Sequence, residues 1–215
     1  MEKKLYSTDI TNMSRFPRMN LINSLSGFKS ANLIGTINTV QRTPNEEGVP
    51  NLALFSSAVH IGADPALLGI LFRPVVADGK TSRHTYENIK KTGFFTVNHV
   101  HKGIYKQAHQ TSASYPAHIS EFEAVGLTPQ YTDILPAPYV AECLVKIGLE
   151  YVEEYLIKAN NTIMMIGKII ELIVPENSIS EDGHLDIGNL ETVCVEGLDT
   201  YHSTQLLERL RYARP

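Results

Sequence analysis

The sequence predicts a mainly β fold with a few short helices, closed as an antiparallel barrel. Most apolar runs are short, rich in β-branched and aromatic residues, and bounded by Gly, Pro, Asn or Ser, which is typical of strands. The two longest, Tyr139 to Ile157 and Thr162 to Val174, flank a turn at Lys158 to Asn161 and predict a long hairpin. We expect closure because a barrel removes the exposed edges that so many strands would leave.

The first third of the chain predicts three strands. One covers Asn32 to Val40, and a hairpin connection rich in Pro, Asn and Gly follows over Thr43 to Asn51. Two further strand-like runs, around Leu52 to Ile61 and Ala66 to Phe72, are joined by Gly, Asp and Pro, which are turn formers. The first hairpin therefore leads into the strand that begins near Leu52.

The middle of the chain alternates short helices with strands. A helix is predicted over Tyr86 to Thr92, with its stop at Gly93, and a strand over Phe94 to Val100. Lys102 to Gln110 has the spacing of a short surface helix. Thr111 to Pro138 is long, polar and Pro-bearing, and a segment of that length is more often functional or interface-forming than idle.

The end of the chain predicts a turn-rich loop and a helix. The loop covers Asn177 to Asp186. The helix is N-capped by Ser203 or Thr204 and carries leucines 206, 207 and 210 on one face. No composition shift marks a boundary, so we expect one domain over residues 1–215, with an N-terminal arm of about 14 residues.

Charge and hydropathy exclude several classes of protein. A net charge of -4 gives no basic field for nucleic acid. The longest apolar run, Ile163 to Val174, is interrupted by Lys168 and Glu171, and the charged N-terminus lacks the apolar stretch of a signal peptide. Cys143 and Cys194 lie apart in apolar context, as reduced thiols do. We expect a cytoplasmic protein without nucleic-acid or membrane partners.

Two polar features indicate chemistry. Ser56 and Ser57 interrupt a strand at its centre, where a core strand ordinarily carries apolar side chains. Thr81 to Gly93 places hydroxyl and basic residues, including Arg83, directly before a short helix. Helix N-terminal N–H groups, hydroxyls and a guanidinium can hold a dianionic phosphate. Together the two features indicate a phosphorylated, partly apolar cofactor lying against a sheet.

Each feature also has a purely structural interpretation. Ser56 and Ser57 can cap or edge a strand, since strand serines usually bond local backbone. Arg83 and Thr85 can be ordinary helix-start residues. Arg73 can simply end its strand, or its guanidinium can reach a cofactor.

Metal and hydrolase chemistry have weaker support. His99 and His101 share one face of a strand, and His109 follows in the next segment. No carboxylate or thiolate at ligand spacing completes a set, so we expect no metal. No G-x-S-x-G motif is present, and neither cysteine lies at a basic helix start.

Five motifs follow one another along the chain: NLALFSSAVHIGADPALLGILFRP, RHTYENIKKTGFFTVNHV, EFEAVGLTP, EDGHLDI and GLDTYH. With these motifs the chain, from about Arg15 to Arg214, resembles the flavin reductase-like family with the FMN-binding split barrel, which includes flavoredoxin-like proteins. The ordered series is more specific than any single motif.

The resemblance implies an antiparallel split β-barrel that binds FMN, and a homodimer with the flavin near the subunit boundary. It places Phe55, Ser56 and Ser57 at the isoalloxazine ring, and Arg83 and Thr85 near the phosphate. The full set of expected flavin-binding residues is Asn51, Phe55, Ser56, Ser57, Ala58, Arg73, Ser82, Arg83, His84, Thr85, Gln110, Thr111 and Ser112.

The sequence is compatible with two functions. In the first, the protein is an NAD(P)H:flavin oxidoreductase that passes hydride from NADH or NADPH to the flavin. No acid–base side chain is required, because stacked rings exchange hydride directly and the protein mainly supplies geometry. In the second, it is a non-catalytic FMN-binding protein or electron carrier served by a separate reductase. NAD(P)H that stacks on a flavin leaves no dinucleotide motif to find in the sequence.

Overall fold

A computed structural model describes residues 2–39, 48–73 and 83–214. The connection predicted over residues 43–51 therefore falls largely outside the described residues, and so does Ser82. Within the described ranges, no helix is long and apolar enough to cross a membrane.

Twelve strands and five helices make up the described structure. The strands are β1 (Lys29–Ser30), β2 (Asn32–Ile37), β3 (Pro50–Phe55), β4 (Ala58–Ala63), β5 (Ala66–Phe72), β6 (Phe94–His99), β7 (Pro129–Gln130), β8 (Tyr139–Val140), β9 (Lys146–Ile157), β10 (Thr162–Ile173), β11 (Val193–Glu196) and β12 (Thr200–Ser203). The helices are α1 (Ser7–Asn12), α2 (Arg15–Ser24), α3 (His84–Thr92), α4 (Tyr105–Gln110) and α5 (Glu121–Val125).

The main sheet curls into a barrel. It has seven antiparallel strands in the order β3-β2-β6-β9-β10-β5-β4. A flat sheet of this width would separate its edge strands by about 29 Å. The edge strands β3 and β4 are consecutive, however, and only Ser56 and Ser57 lie between them, a reach of about 11 Å at most. The two edges must therefore meet, which confirms the predicted mainly β, antiparallel fold; we call this junction the seam.

The core divides between the two faces of the sheet. On β2, Ile34 packs inside the barrel, whereas Leu33 packs outside, and both are 0% exposed. Ile89 of α3 belongs to the inner cluster. Ala108 of α4 and Phe122 of α5 belong to the outer one. Helix α3 thus contributes to the barrel interior, and α4 and α5 cover its outer face.

Local turn chemistry confirms two predictions. The hairpin of β9 and β10 forms as expected, with Ile157 paired to Thr162 across the turn. Gly93 ends α3 with a φ of 82°, a left-handed conformation that glycine adopts without steric cost. The predicted run over Tyr139 to Ile157 is interrupted, because residues 141–145 separate β8 from β9.

The predicted C-terminal helix is wrong. Residues 204–214 form neither helix nor strand, and Leu206, Leu207 and Leu210 are 79%, 95% and 77% exposed. The physical reason is that a short isolated helix is marginal in water unless one face packs on something. An ion pair of 2.5 Å joins Arg209 of this segment to Asp182.

The strand-like run predicted around Leu52 to Ile61 is two strands, because the chain bends at Ser56 and Ser57 between β3 and β4. Further differences lie in segments predicted to be irregular. The segment from Thr111 to Pro138 contains α5 and β7, and the proposed N-terminal arm contains α1. Neither α1 nor α2 buries a residue. Their apolar residues do not form the one-sided stripe that predicts a helix with a buried face.

Candidate functional site

The seam presents two adjacent hydroxyl side chains. Ser56 and Ser57 are half-buried, and the Ser57 carbonyl accepts a hydrogen bond of 3.1 Å from the N–H of Leu71 in β5. Among the described residues, neither serine hydroxyl has a hydrogen-bond partner. Ala58, the next residue, packs on the inner core cluster. The seam is thus a fixed backbone turn with two hydroxyls available beside an apolar wall.

A row of aromatic rings connects the seam to α3. The ring centroids of Phe55 and Phe72 lie 5.2 Å apart, and those of Phe72 and Tyr86 lie 5.5 Å apart, both edge-to-face. The Tyr86 hydroxyl donates to Glu154 Oε1 at 2.9 Å. Burial, followed by this hydrogen bond, raises the pKa of Tyr86, so its hydroxyl stays protonated. The row brings the seam and the first turn of α3 into one region.

The first turn of α3 has backbone N–H donors that make no hydrogen bond within the helix. Its N-cap is Arg83, which is exposed, has an extended backbone and makes no side-chain capping bond. The carbonyl of Arg83 accepts the first helical hydrogen bond, from the N–H of Glu87 at 3.1 Å. The N–H groups of His84, Thr85 and Tyr86 precede that bond and have no partner within the helix. An anion such as a phosphate fits here, because backbone donors and a guanidinium can bind it together.

A buried polar network lies behind this turn, centred on Asn51. Asn51 Oδ1 accepts from the hydroxyls of Thr36 at 3.1 Å and Thr85 at 3.0 Å. Asn51 Nδ2 donates to Glu121 Oε2 at 2.7 Å. Asn88 Nδ2 donates to the Thr36 hydroxyl at 3.1 Å. The structure therefore joins Asn51 to Thr85 directly, and it shows that the hydroxyl proton of Thr85 is donated into the protein.

Sequence reasoning missed three members of this network: Thr36, Asn88 and Glu121. Glu121 lies at the start of a short helix with a second acid two residues later, a pattern that usually marks a solvated surface. It is nevertheless only 5% exposed. No local sequence signal distinguishes such a carboxylate, because its partners lie about seventy positions away.

A cavity of about 170 Å³ opens beside the network. Asn51, His84, Glu87 and Asn88 form part of its wall. Sites for whole cofactors occupy roughly 300 Å³ or more, so this cavity is too small for a complete flavin.

Arg73 lies close to the seam but faces the N-terminal helix. It follows β5 two residues after Leu71, the partner of Ser57, and its side chain donates to Asn23 Oδ1 at 3.3 Å. Lys29 Nζ donates to the Asn23 carbonyl at 3.1 Å. Burial, and then the nearby Arg73 charge, lower the pKa of Lys29. In this structure the two cations interact with the C-terminal end of α2, where positive charge is favourable.

Gln110, Thr111 and Ser112 make local hydrogen bonds. The Gln110 amide donates to the Tyr115 hydroxyl at 3.2 Å, the Thr111 hydroxyl to the Ala108 carbonyl at 2.8 Å, and the Ser112 hydroxyl to the His109 carbonyl. Within the described part of the chain, none of these bonds reaches the seam or α3. These residues therefore close the end of α4 in this structure.

The histidines do not converge on one point. His101 Nε2 contacts the Glu142 carbonyl at 3.0 Å, and His109 Nδ1 contacts the Tyr201 hydroxyl at 3.1 Å. Burial lowers the pKa of His99. Across residues 2–39, 48–73 and 83–214, no group of three or more His, Cys, Asp or Glu could hold a metal ion.

Comparison with known proteins gives one family and a set of similar folds. A model of the flavin reductase like domain matches residues 32–189. A crystal structure from Shewanella frigidimarina NCIMB 400, assigned as a flavin reductase with a split barrel domain, is 43% identical with a TM-score of 0.88, covering 99% of this chain and 100% of that chain.

Two further structures share the fold at lower identity. Nitrilotriacetate monooxygenase component B from Bacillus cereus is 17% identical with a TM-score of 0.80, covering 97% of this chain and 100% of its own. The flavoredoxin of Desulfovibrio vulgaris (Miyazaki F) is 22% identical with a TM-score of 0.69, covering 87% of this chain and 91% of its own. At these identities the likeness concerns the split-barrel fold alone.

Proposed function

The chain belongs to the flavin reductase-like family, as its motifs predicted, and from this premise we propose that it is an FMN-dependent oxidoreductase that takes hydride from NADH or NADPH. The observation that carries the proposal is the aromatic row from Phe55 through Phe72 to Tyr86. Through this row, the hydroxyls of the seam and the backbone donors in the first turn of α3 lie in one region. A ligand with a flat ring at one end and a phosphate at the other can contact both.

The seam is the proposed ring site. Phe55 and Ala58 supply apolar wall, and Ser56 and Ser57 supply hydroxyl and backbone donors for the polar edge of the ring. Hydrogen bonds to that edge tune how readily it accepts electrons. Because the Ser57 carbonyl is held by Leu71, these donors are in place before the ligand binds.

The first turn of α3 is the proposed phosphate site. Arg83 and the N–H groups of His84 and Thr85 are its donors, and Ser82 remains a proposed contact outside the described residues. A dianionic phosphate bound here would distinguish FMN from riboflavin by charge. Arg73 remains a proposed contact to ring or phosphate. We also propose Gln110, Thr111 and Ser112 as contacts to the ribityl chain of the flavin.

When bound, the flavin supplies the acceptor for a hydride delivered by the nicotinamide. The chain itself contributes geometry: an apolar wall, a fixed seam and a cationic anchor at the phosphate end. Correct placement of two reacting groups can lower the activation free energy by several kcal/mol. No proton-transferring side chain is therefore needed.

A second candidate is an electron carrier that binds FMN but reacts poorly with pyridine nucleotides. The fold does not choose between the two, since it is shared with a monooxygenase component and with a flavoredoxin. Anaerobic stopped-flow mixing of the FMN-loaded protein with NADH, and separately with NADPH, is the deciding experiment. Rapid loss of flavin absorbance with either nucleotide supports the reductase, and no loss with both supports the carrier.

We also propose one flavin-binding domain assembled as a homodimer. Apolar side chains are exposed on segment 204–214, where Tyr212 is 91% exposed, and on β9, where Tyr155 and Leu156 are 55% and 56% exposed. A second copy that covers them would bury roughly 2,000 Å² or more, as obligate dimers do. Cys143 and Cys194 are free thiols, which fits the reducing cytoplasm where we place the protein.

A further inference from the structure

The carboxylate of Glu121 lies behind the proposed phosphate site, although it belongs to a different helix. It is 5% exposed, and Asn51 and Thr85 beside it are 8% and 5% exposed. We propose that Glu121 is a positioning residue for the phosphate site, acting through Asn51 and Thr85 on the first turn of α3. This inference rests on the function proposed above and deepens it.

The hydrogen bonds of the network have a fixed direction. A carboxylate accepts hydrogen bonds and cannot donate them, so Glu121 requires the amide nitrogen of Asn51 to face it. The amide oxygen of Asn51 must then point the other way, toward the hydroxyls of Thr36 and Thr85. Glu121 therefore determines that both hydroxyls donate to Asn51.

The neighbouring contacts hold this direction in place. Glu121 Oε2 also accepts the backbone N–H of Leu52 at 3.0 Å, so the carboxylate is fixed to β3. The Ser120 hydroxyl donates to the Pro50 carbonyl at 2.7 Å, which attaches the start of α5 to the same strand. The hydroxyl oxygen of Thr36 accepts a hydrogen bond from Asn88 Nδ2, so the hydroxyl proton of Thr36 is donated to Asn51 Oδ1.

The consequence for α3 is specific. Thr85 is the second residue of the helix, and its side chain is held by Asn51, while its backbone N–H has no partner within the helix. Thr85 thus anchors the turn, and its hydroxyl does not donate to a ligand. If Glu121 is lost, the Asn51 amide can turn over, Thr85 loses its acceptor, and the N–H groups of the turn lose their alignment.

The test compares FMN with riboflavin, which differ only in the phosphate, by titration calorimetry on the full-length protein. Glu121→Ala should weaken FMN about tenfold, the scale of one lost hydrogen bond, and leave riboflavin within about twofold. The affinity of Glu121→Gln for FMN should stay within about threefold of wild type, because the glutamine amide oxygen can still accept from Asn51 and Leu52. Glu123→Ala, at an exposed acid of the same helix, is the matched control and should change neither affinity.

A double-mutant cycle shows whether Glu121 acts through Thr85. Thr85→Val removes the hydroxyl at nearly constant volume and should weaken FMN as much as Glu121→Ala does. The double variant should show no further loss, because the two changes break one chain of contacts. Additive losses, or a loss with Thr85→Val and none with Glu121→Ala, would overturn the inference and assign Thr85 directly to the phosphate.

Two further outcomes have distinct meanings. Equal weakening of FMN and riboflavin by Glu121→Ala would show a general structural role and overturn the inference. If Glu121→Ala does not fold, Glu121→Met, which removes both acceptor oxygens at similar volume, takes its place in the same cycle with Thr85→Val. Wild-type protein that binds FMN no more tightly than riboflavin would refute the phosphate site itself, a failure distinct from that of the Glu121 proposal.

Discussion

The carbonyl oxygen of Ser57 accepts a hydrogen bond of 3.1 Å from the N–H of Leu71. Ser57 therefore continues the antiparallel pairing of β4 with β5, although it lies just outside β4. The junction of the barrel edges is therefore held in place by the sheet. A rigid seam can present Ser56 and Ser57 to a bound ring at fixed positions, which is what directed hydrogen bonds require.

Replacing Ser56 or Ser57 by Val should change the flavin more than the fold. Loss of a hydroxyl at the ring edge should shift the flavin absorbance maximum or reduction potential, while the melting temperature stays nearly constant. Spectroelectrochemical titration and thermal melts measure both. Ser203→Val, at an exposed strand serine, is the control. A large drop in melting temperature with an unchanged flavin spectrum would favour the structural interpretation of the seam serines.

Replacing Arg83 by Ala should weaken FMN by about 1.5–3 kcal/mol, the range for a hydrogen bond to a charged group. Riboflavin, which lacks the phosphate, should bind almost as before. Calorimetric titration with both flavins gives the comparison, and Lys91→Ala, at an exposed cation of the same helix, controls for the loss of one positive charge. Equal losses for the two flavins would reject this assignment.

Replacing Phe72 by Ala should destabilise the protein by about 3–5 kcal/mol, because the ring is 2% exposed and the change leaves a cavity. The same change should disorder the aromatic row and lower flavin affinity. Urea unfolding measures the first effect. Phe16→Ala is the control, since Phe16 is 67% exposed and its loss should change stability very little. A stability loss below about 1 kcal/mol for Phe72→Ala would show that the row is loosely packed.

Protonation of His99 should destabilise the fold in mild acid. Burial lowers the pKa of His99 below the ordinary histidine value of 6.5, so the unfolded chain binds this proton more readily than the folded one. The contribution of neutral His99 to the free energy of unfolding is complete above pH 6.5. It is lost as the pH falls from 6.5 toward the lower pKa of the folded state. Melting temperatures between about pH 5 and pH 8 should fall less steeply toward acid for His99→Phe than for wild type. Parallel profiles would contradict this.

Removing the apolar side chains of segment 204–214 should weaken the dimer. Light scattering at micromolar concentration should give a dimer mass for the wild-type protein. A variant with Leu206, Leu207 and Leu210 all replaced by Ser should shift toward the monomer, because the buried apolar area falls. Gln205→Ser with Glu208→Ser is the matched polar control. A wild-type monomer that still binds FMN tightly would overturn the proposed dimer.

The sequence predicted those elements whose cause is local. The β9–β10 hairpin follows from a turn of four residues between two β-rich runs, and the end of α3 follows from Gly93. The C-terminal helix failed for the complementary reason: its N-cap and leucine spacing are local signals, but a helix that short needs a surface to pack against.

By itself, the sequence determined the strands β2, β5 and β6, the β9–β10 hairpin, the end of α3 and the motifs that identify the family, because each depends on residues near one another in the chain. Only the tertiary structure decided that β3 and β4 meet at Ser56 and Ser57, and that Glu121 and Thr85 share the Asn51 amide. Those contacts join residues up to seventy positions apart, and burial alone makes them strong. A buried donor or acceptor must find a partner wherever the fold provides one, and no local pattern specifies which residue that is.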